Sequence, residues 1–233
     1  SDSDLVQVRV RALRSGGSSA PKMAVALAVD VFTLLDQGVL VSAEDLAGGD
    51  KSWLKGFYPA FLANSQVAGK TWSVPFQRST PVLYWNKAAF KSVGLNPEKA
   101  PENWDEMRDT ARRLTKLHNP KSPTDWGLQI PTSGFPYWLF QGLSIENGQA
   151  RLASPDGKTT YFDAPETIGA LDYLVKLSRT DKVMPEGIIN WGTTPQDFFQ
   201  HRCAMMWTTT GNLTNVRTNA KFDFGVAMLP AHK

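Results

Sequence analysis

The run Met23 to Val29 is apolar throughout and is bounded by Pro21 and Asp30. A continuous apolar stretch of this length predicts a strand covered on both faces, as in a parallel sheet. Val31 to Gln37 then predicts a short helix closed by Gly38, and a strand feeding directly into a helix points to an α/β arrangement. Upstream, Val6, Val8 and Val10 alternate like a strand, while Leu5, Ala12 and Leu13 also fit a short helix; Ser15 to Pro21 ends either element. Further along, Trp72 to Phe76 reads as a short extended segment, Gln77 to Pro81 as a polar turn, and Val82 to Trp85 as a strand ending at Asn86. Asn103 caps a helix, with Glu106 completing a capping box and Trp104, Met107, Ala111 and Leu114 forming the apolar stripe. Pro165 opens another helix, with Ile168, Leu171, Leu174, Val175 and Leu177 expected on its buried side. Thr194-Pro195-Gln196-Asp197 starts a helix that buries Phe198 and Phe199. Cys203 to Trp207 reads as a strand, Leu213 to Ala220 as a helix and Phe222 to Leu229 as a last strand. The alternation favours α/β over a sandwich or bundle, and no internal repeat is visible.

Composition narrows the function classes. The chain has 233 residues, 25 Lys plus Arg against 22 Asp plus Glu, and a formal charge of +3. That charge is too small to imply nucleic acid by itself. The single cysteine, Cys203, excludes an internal disulfide framework and a thiolate zinc cluster. His118, His201 and His232 are far apart and have no neighbours at ligand spacing, so no metal or cofactor is expected. No apolar run reaches the length of about 20 residues needed for a membrane-spanning helix. The opening Ser1-Asp2-Ser3-Asp4 lacks a signal-peptide pattern, which leaves either a cytoplasmic protein or one whose export signal has been removed.

Enzymatic motifs are sparse. Ser52-Trp53-Leu54-Lys55 matches the Ser-x-x-Lys pattern of a hydrolase nucleophile, but no accompanying motif follows, and a helix start that buries Trp53 accounts for the same residues. Binding motifs are more numerous. Arg78 can grip a phosphate or carboxylate by paired hydrogen bonds, and Ser79 or Thr80 can donate to an oxyanion or a sugar hydroxyl. Thr208-Thr209-Thr210-Gly211-Asn212 lies between a strand and a helix. Free amides, hydroxyls and a glycine that admits close approach coincide there, although Thr210 could equally cap the helix. Ser133 to Trp138 gathers three aromatics around Gly134 and Pro136, and Trp138 can pack its face on a sugar or glycerol unit; a core role competes with this for Trp138, as a solvated turn does for Arg78.

Several segments together resemble one family. Gly69 to Phe76, then Ser79-Thr80-Pro81-Val82-Leu83-Tyr84-Trp85-Asn86-Lys87 with Phe90 and Gly94-Leu95, are similar to the signature stretch of family 1 extracellular solute-binding proteins. These are the capture subunits of bacterial ABC importers, and this form of the signature is closest to their glycerol-3-phosphate-binding members. Pro101 to Glu106, Asn147-Gly148, Arg202 to Met205 and Phe224 to Pro230 follow in the family's order. The resemblance implies a two-lobe α/β periplasmic-binding-protein (Venus flytrap) fold, incomplete here at both ends. Its divisions would be residues 1–85 in the first lobe, 86–224 in the second, and 225–233 returning as a hinge strand. It further implies a non-enzymatic, monomeric capture protein, periplasmic or anchored on the outer face of the cytoplasmic membrane, that docks on permease subunits. The expected solute is glycerol-3-phosphate or a glycerophosphodiester, with a sugar or oligosaccharide as the alternative and a Ser52/Lys55 hydrolase as a remote one. Ligand contacts would come from Arg78, Ser79, Trp138, Thr209, Thr210 and Gly211. Ala28 stands where family members place a glutamate, and Asp30 is the nearest acid.

Overall fold

The computed structural model describes residues 22–148, 151–154 and 158–232. The elements expected within the first twenty-one residues lie outside this range. Two compact units divide between Arg78 and Ser79.

The first unit is built of short pieces: helices α1 (Val31–Asp36), α2 (Ala43–Leu46) and α3 (Pro59–Leu62), and the two-stranded ribbon of β1 (Gln66–Val67) and β2 (Lys70–Thr71). Gly38 at the end of α1 takes φ +67°, the left-handed stop read from the sequence. In α2 the Ser42 hydroxyl accepts the Asp45 amide as an N-cap. Glu44 is buried, and both its carboxylate oxygens accept the Thr71 amide, at 2.9 and 3.1 Å. This bond holds the Glu44 carboxyl below its ordinary pKa.

The apolar run Met23 to Val29 is not a strand. It is irregular up to a 3₁₀ turn over Ala28–Asp30, and Met23, Val25 and Val29 are exposed. An all-apolar segment becomes a buried strand only where neighbours pair with it and cover both faces. Among the described residues no strand pairs with it. The extended segment expected at Trp72 to Phe76 lies outside regular structure, since β2 ends at Thr71 and β3 begins only at Pro81.

The second unit contains a four-stranded sheet in the order β4-β5-β3-β6, with β3 (Pro81–Asn86), β4 (Trp126–Gln129), β5 (Cys203–Thr209) and β6 (Phe224–Ala227). Strand β3 pairs antiparallel with β5 from Pro81↔Thr209 to Trp85↔Met205, and antiparallel with β6. Strand β4 runs parallel to β5, so the sheet is mixed. The helices are α4 (Lys87–Ser92), α5 (Trp104–Leu114), α6 (Pro136–Glu146), α7 (Pro165–Val175), α8 (Thr194–Phe199) and α9 (Leu213–Asn219). One core cluster joins Leu83, Trp85, Met205 and Trp207 to Met107, Leu114, Leu139, Leu143 and Tyr173. A second joins Val82, Tyr84 and Met206 to Phe198 and Val216. Side chains alternate across the pleat, so each central strand supplies both clusters, as the expected α/β layering requires. The chain on either side of the division expected after residue 85, and the segment expected to return from residue 225, belong to this sheet as β3 and β6.

Helix α5 follows the sequence reading closely. Asn103 accepts the Glu106 amide at 2.9 Å, and Trp104, Met107, Ala111 and Leu114 are buried. The Glu106 carboxylate accepts the Glu102 amide rather than that of the cap residue. Helix α5 lies so close to β4 that a Cβ at Gly127 would meet the Ala111 carbonyl oxygen at 2.0 Å. Helix α7 departs from expectation. It buries Thr167, Ala170 and Tyr173 while Ile168, Leu171 and Val175 are exposed; of the expected stripe, Leu174 packs against the core and Leu177, just past the helix, is buried. The Tyr173 hydroxyl donates to the Trp104 carbonyl at 3.1 Å and the ring stacks on Trp104, with centroids 4.2 Å apart. This aromatic contact outweighs the aliphatic stripe in setting which face turns inward. Leu171 and Leu174 line a groove of about 340 Å³ with Leu139, Phe140 and Leu143.

Past α7 the chain is anchored electrostatically. Arg108 binds both carboxylate oxygens of the buried Asp181, at 2.7 and 3.2 Å, and Arg112 adds a charge at 3.6 Å. The Arg108 bond holds the Asp181 carboxyl below its ordinary 3.8. A depressed folded-state pKa contributes stability above the unfolded value that is lost as pH falls through the folded one. Asp181→Asn is therefore expected to cost about 1.5–3 kcal/mol at neutral pH, the range for charged hydrogen bonds. Urea titrations at a series of pH values should show this deficit shrinking below the ordinary carboxylate pKa; a deficit independent of pH would refute the ion-pair role.

Candidate functional site

The sheet determines which side chains gather at one edge. Because β4 and β5 are parallel, both end at the same edge, and the antiparallel β3 begins there. The Ser79 and Thr80 segment, the Thr209-Thr210-Gly211 loop and the chain leaving β4 toward Trp138 all emerge at that edge. Carboxyl ends of strands are where open α/β sheets place ligands, since the loops there are free to vary while the ladder stays fixed.

The ladder continues one step beyond the strands. The Thr210 amide donates to the Thr80 carbonyl at 2.9 Å, and the Thr80 amide donates to Thr210 Oγ1 at 3.1 Å. Thr210 therefore fastens β5 to the approach of β3 instead of capping the helix that follows; Asn212 occupies the α9 N-cap position and makes no side-chain cap. Ser79 comes alongside Gly211, where a Cβ would lie 3.4 Å from the Ser79 Cβ and 3.4 Å from Thr209 Oγ1. Thr209 is buried, and its carbonyl accepts the Tyr84 hydroxyl at 3.0 Å. Ser79, Thr209, Thr210 and Gly211 thus form one cluster, half-buried to exposed at Ser79, Thr210 and Gly211.

Trp138 lies in the first turn of α6, whose N1 residue is Pro136. The aromatics gathered around Gly134 and Pro136 lead into an eleven-residue helix, Pro136 to Glu146. Trp138 is half-buried and lies near-parallel to Trp191, with centroids 6.4 Å apart and planes at 10°. Phe135 meets Trp191 edge-on at 5.4 Å. Trp191 was missed by sequence reasoning, although a tryptophan between Asn190 and Gly192 in a turn was an available signal.

The remaining candidates lie in the first unit. Arg78 is half-buried, and its Nη2 donates to the Phe61 carbonyl at 2.7 Å and to Ser65 Oγ at 3.4 Å. Asp30 has a buried Oδ2 with no partner among the described residues. The Ser52 hydroxyl donates to Asp50 Oδ2 at 3.0 Å and its amide to Asp50 Oδ1 at 2.7 Å, an Asx turn that opens a 3₁₀ helix carrying Lys55. The serine is held by a carboxylate in a turn and is not aligned with a lysine base, so the arrangement lacks the geometry of a Ser-Lys nucleophile.

An α/β sheet with short hydroxyl side chains and a glycine at its carboxyl edge is an arrangement suited to holding a small polar solute. The chain belongs to the family described as bacterial extracellular solute-binding protein, whose pattern it matches over residues 1–233. The family consists of binding proteins and not of enzymes, so the Ser52/Lys55 hydrolase reading is discarded. The chain is 33% identical over 164 residues to the sn-glycerol-3-phosphate-binding periplasmic protein UgpB of Escherichia coli strain K12; the match covers 70% of this chain and 36% of that protein. UgpB of Mycobacterium tuberculosis, solved in complex with glycerophosphocholine, is 27% identical with a TM-score of 0.72, covering 85% of this chain and 49% of that one. The GacH receptor of Streptomyces glaucescens, solved unliganded and with acarbose, shares the fold at 22% identity with a TM-score of 0.78, covering 96% of this chain and 55% of that one. The chain thus spans about a third to a half of the length of these relatives.

One prediction isolates the ladder extension. Thr210→Val removes the acceptor of the Thr80 amide and should cost about 0.5–1.5 kcal/mol in chemical denaturation, as for a single hydrogen bond, whereas Thr210→Ser should restore it. Equal stability of all three forms would show that the contact contributes nothing.

Proposed function

We propose that this chain is part of the extracytoplasmic solute-binding component of an ABC importer, and that its solute is small and polar, glycerol-3-phosphate or a glycerophosphodiester before a sugar. The observation that carries this reading is the cluster of Ser79, Thr209, Thr210 and Gly211 at the sheet edge where the chain toward Trp138 also emerges. Short hydroxyl side chains and a glycine leave room for an oxyanion or polyol and supply donors to it, while an indole covers the apolar C–H face. The similarity to glycerol-3-phosphate-binding UgpB and to glycerophosphocholine-bound UgpB supports the choice of solute. The acarbose-bound GacH receptor, which shares the fold, supports the sugar alternative.

Arg78 is the cation proposed to read a phosphate. A guanidinium with five donors spends only some of them on Phe61 and Ser65, and charge-assisted bonds to phosphate are the strongest it can form. Asp30 Oδ2, which has no partner among the described residues, is proposed as an acceptor for a solute hydroxyl. The whole protein would work outside the cytoplasmic membrane, free or anchored, as a monomer delivering solute to permease subunits.

Calorimetric titration of the whole protein with sn-glycerol-3-phosphate, glycerophosphocholine and maltose tests the reading. Tight binding of a phosphorylated solute without turnover is expected; tight binding of maltose alone would replace the phosphate assignment by the sugar one. Arg78→Ala is expected to weaken a phosphorylated solute by about 1.5–3 kcal/mol and leave an uncharged one unaffected. Equal losses for both would make Arg78 an anchor of the Phe61 to Ser65 turn alone. Trp138→Ala should lower affinity for every solute that the protein binds, and unchanged affinity would return Trp138 to the core.

A further inference from the structure

Trp191 lies outside the residues that the proposed site uses, yet its surroundings hold it firmly. The segment carrying it is hydrogen-bonded to the chain that leads from β4 to α6. The Thr132 and Ser133 amides donate to the Ile189 carbonyl at 2.9 and 3.2 Å, and the Ile189 amide returns a bond to Thr132 Oγ1 at 2.9 Å. Ser133 and Asn190 form a parallel bridge. On its other side the Gly192 amide donates to Asn190 Oδ1 at 2.8 Å, and the Thr194 amide to the Asn190 carbonyl at 3.1 Å, which ties the turn to the start of α8.

Position 134 is shaped around this indole. A Cβ there would lie 2.7 Å from the Trp191 Cβ, and Gly134 takes φ +86°, so both space and backbone require glycine. The close approach brings Trp191 parallel to Trp138 and edge-on to Phe135. An indole in the first turn of a helix has a fixed Cα but two free side-chain torsions. A second indole at 10° to it removes much of that freedom and leaves both rings half-buried.

We propose that Trp191 is the positioning residue of the solute site: lying parallel to Trp138, it sets the plane that Trp138 offers to the C–H face of a polyol or sugar unit. The proposal rests on the reading of Trp138 as a solute contact. Volume alone does not supply this function, because an aliphatic side chain would fill the space without defining a plane.

Three variants of the whole protein test it, read by titration with sn-glycerol-3-phosphate, glycerophosphocholine and maltose and by ¹⁹F NMR with 5-fluorotryptophan. For whichever of these solutes the unmodified protein binds, Trp191→Leu should lower affinity about tenfold, the upper range for an aromatic pair, while Trp191→Phe should stay within about threefold. In a Trp138→Ala background Trp191→Leu should change affinity less than about twofold, since the two act as one unit. Without solute, the Trp138 resonance should shift in Trp191→Leu. Unchanged affinity with an unmoved Trp138 resonance would overturn the proposal, and so would an undiminished tenfold loss in the Trp138→Ala background, which would make Trp191 an independent contact. If the unmodified protein bound none of the three solutes, the proposed function would fall, while the solute-free resonance would still decide whether Trp191 orients Trp138.

Discussion

The antiparallel pairing of β3 with β5 is the constraint on which the second unit depends. All seven residues of β5 are buried, and five of the six in β3. Strands covered on both faces have one acceptable register, because a slip of one residue would exchange the two core clusters. Leu83 opposite Trp207 and Tyr84 opposite Met206 fix that register by size as well as by hydrophobicity. The Tyr84 hydroxyl, pushed to higher pKa by burial and bonded to the Thr209 carbonyl, ties the pleat to the end of the ladder. The close contact of β6 depends on the same strand. A Cβ at Gly225 would overlap the Trp85 ring at 2.0 Å, so the indole lies directly over a glycine backbone.

The cluster of hydroxyls at the sheet edge is a direct consequence of this register. Pro81 stands opposite Thr209, so Thr80 must meet Thr210, and Ser79 must reach Gly211. None of these contacts needs loop-specific packing, because they extend a ladder already paid for by core burial. The second ladder, β4 against β5, does the same for the chain leading to α6. The indole pair then belongs to the same rigid frame through the bonds between Thr132, Ser133 and Ile189. Side chains held in this way are pre-organised, which would lower the ordering cost of binding at the proposed site.

Much of this was legible in the sequence where local and tertiary demands agreed. Asn103 announced α5 because its cap and its apolar stripe are the features that tertiary packing also uses. The Ser79 to Lys87 and Thr208 to Asn212 segments marked the two strand ends, which the ladder brings to one sheet edge. What could not be read was which face an element turns inward. The aliphatic stripe of α7 lost to Ala170, Thr167 and Tyr173, because Tyr173 has a stacking partner and a buried carbonyl to satisfy, 69 residues away in sequence. Met23 to Val29 shows the converse limit. Its composition suits a buried strand, but composition does not supply the neighbours that a strand requires.

The role of Trp191 was hard to read for a related reason. A tryptophan in a turn has no periodicity to reveal it, and its meaning lies in Gly134, fifty-seven residues earlier, which carries no side chain because the Trp191 backbone and Cβ approach so closely. Residue spacing encodes contacts within an element, whereas a mutual exclusion between two loops is encoded only as a small residue in one and a large residue in the other. The same pairing of a glycine with a distant bulky or backbone neighbour recurs at Gly127 with Ala111 and at Gly225 with Trp85. At Gly127 the glycine lets α5 reach the sheet, at Gly225 it lets an indole lie over the neighbouring strand, and at Gly134 it brings together the two segments that carry the indoles.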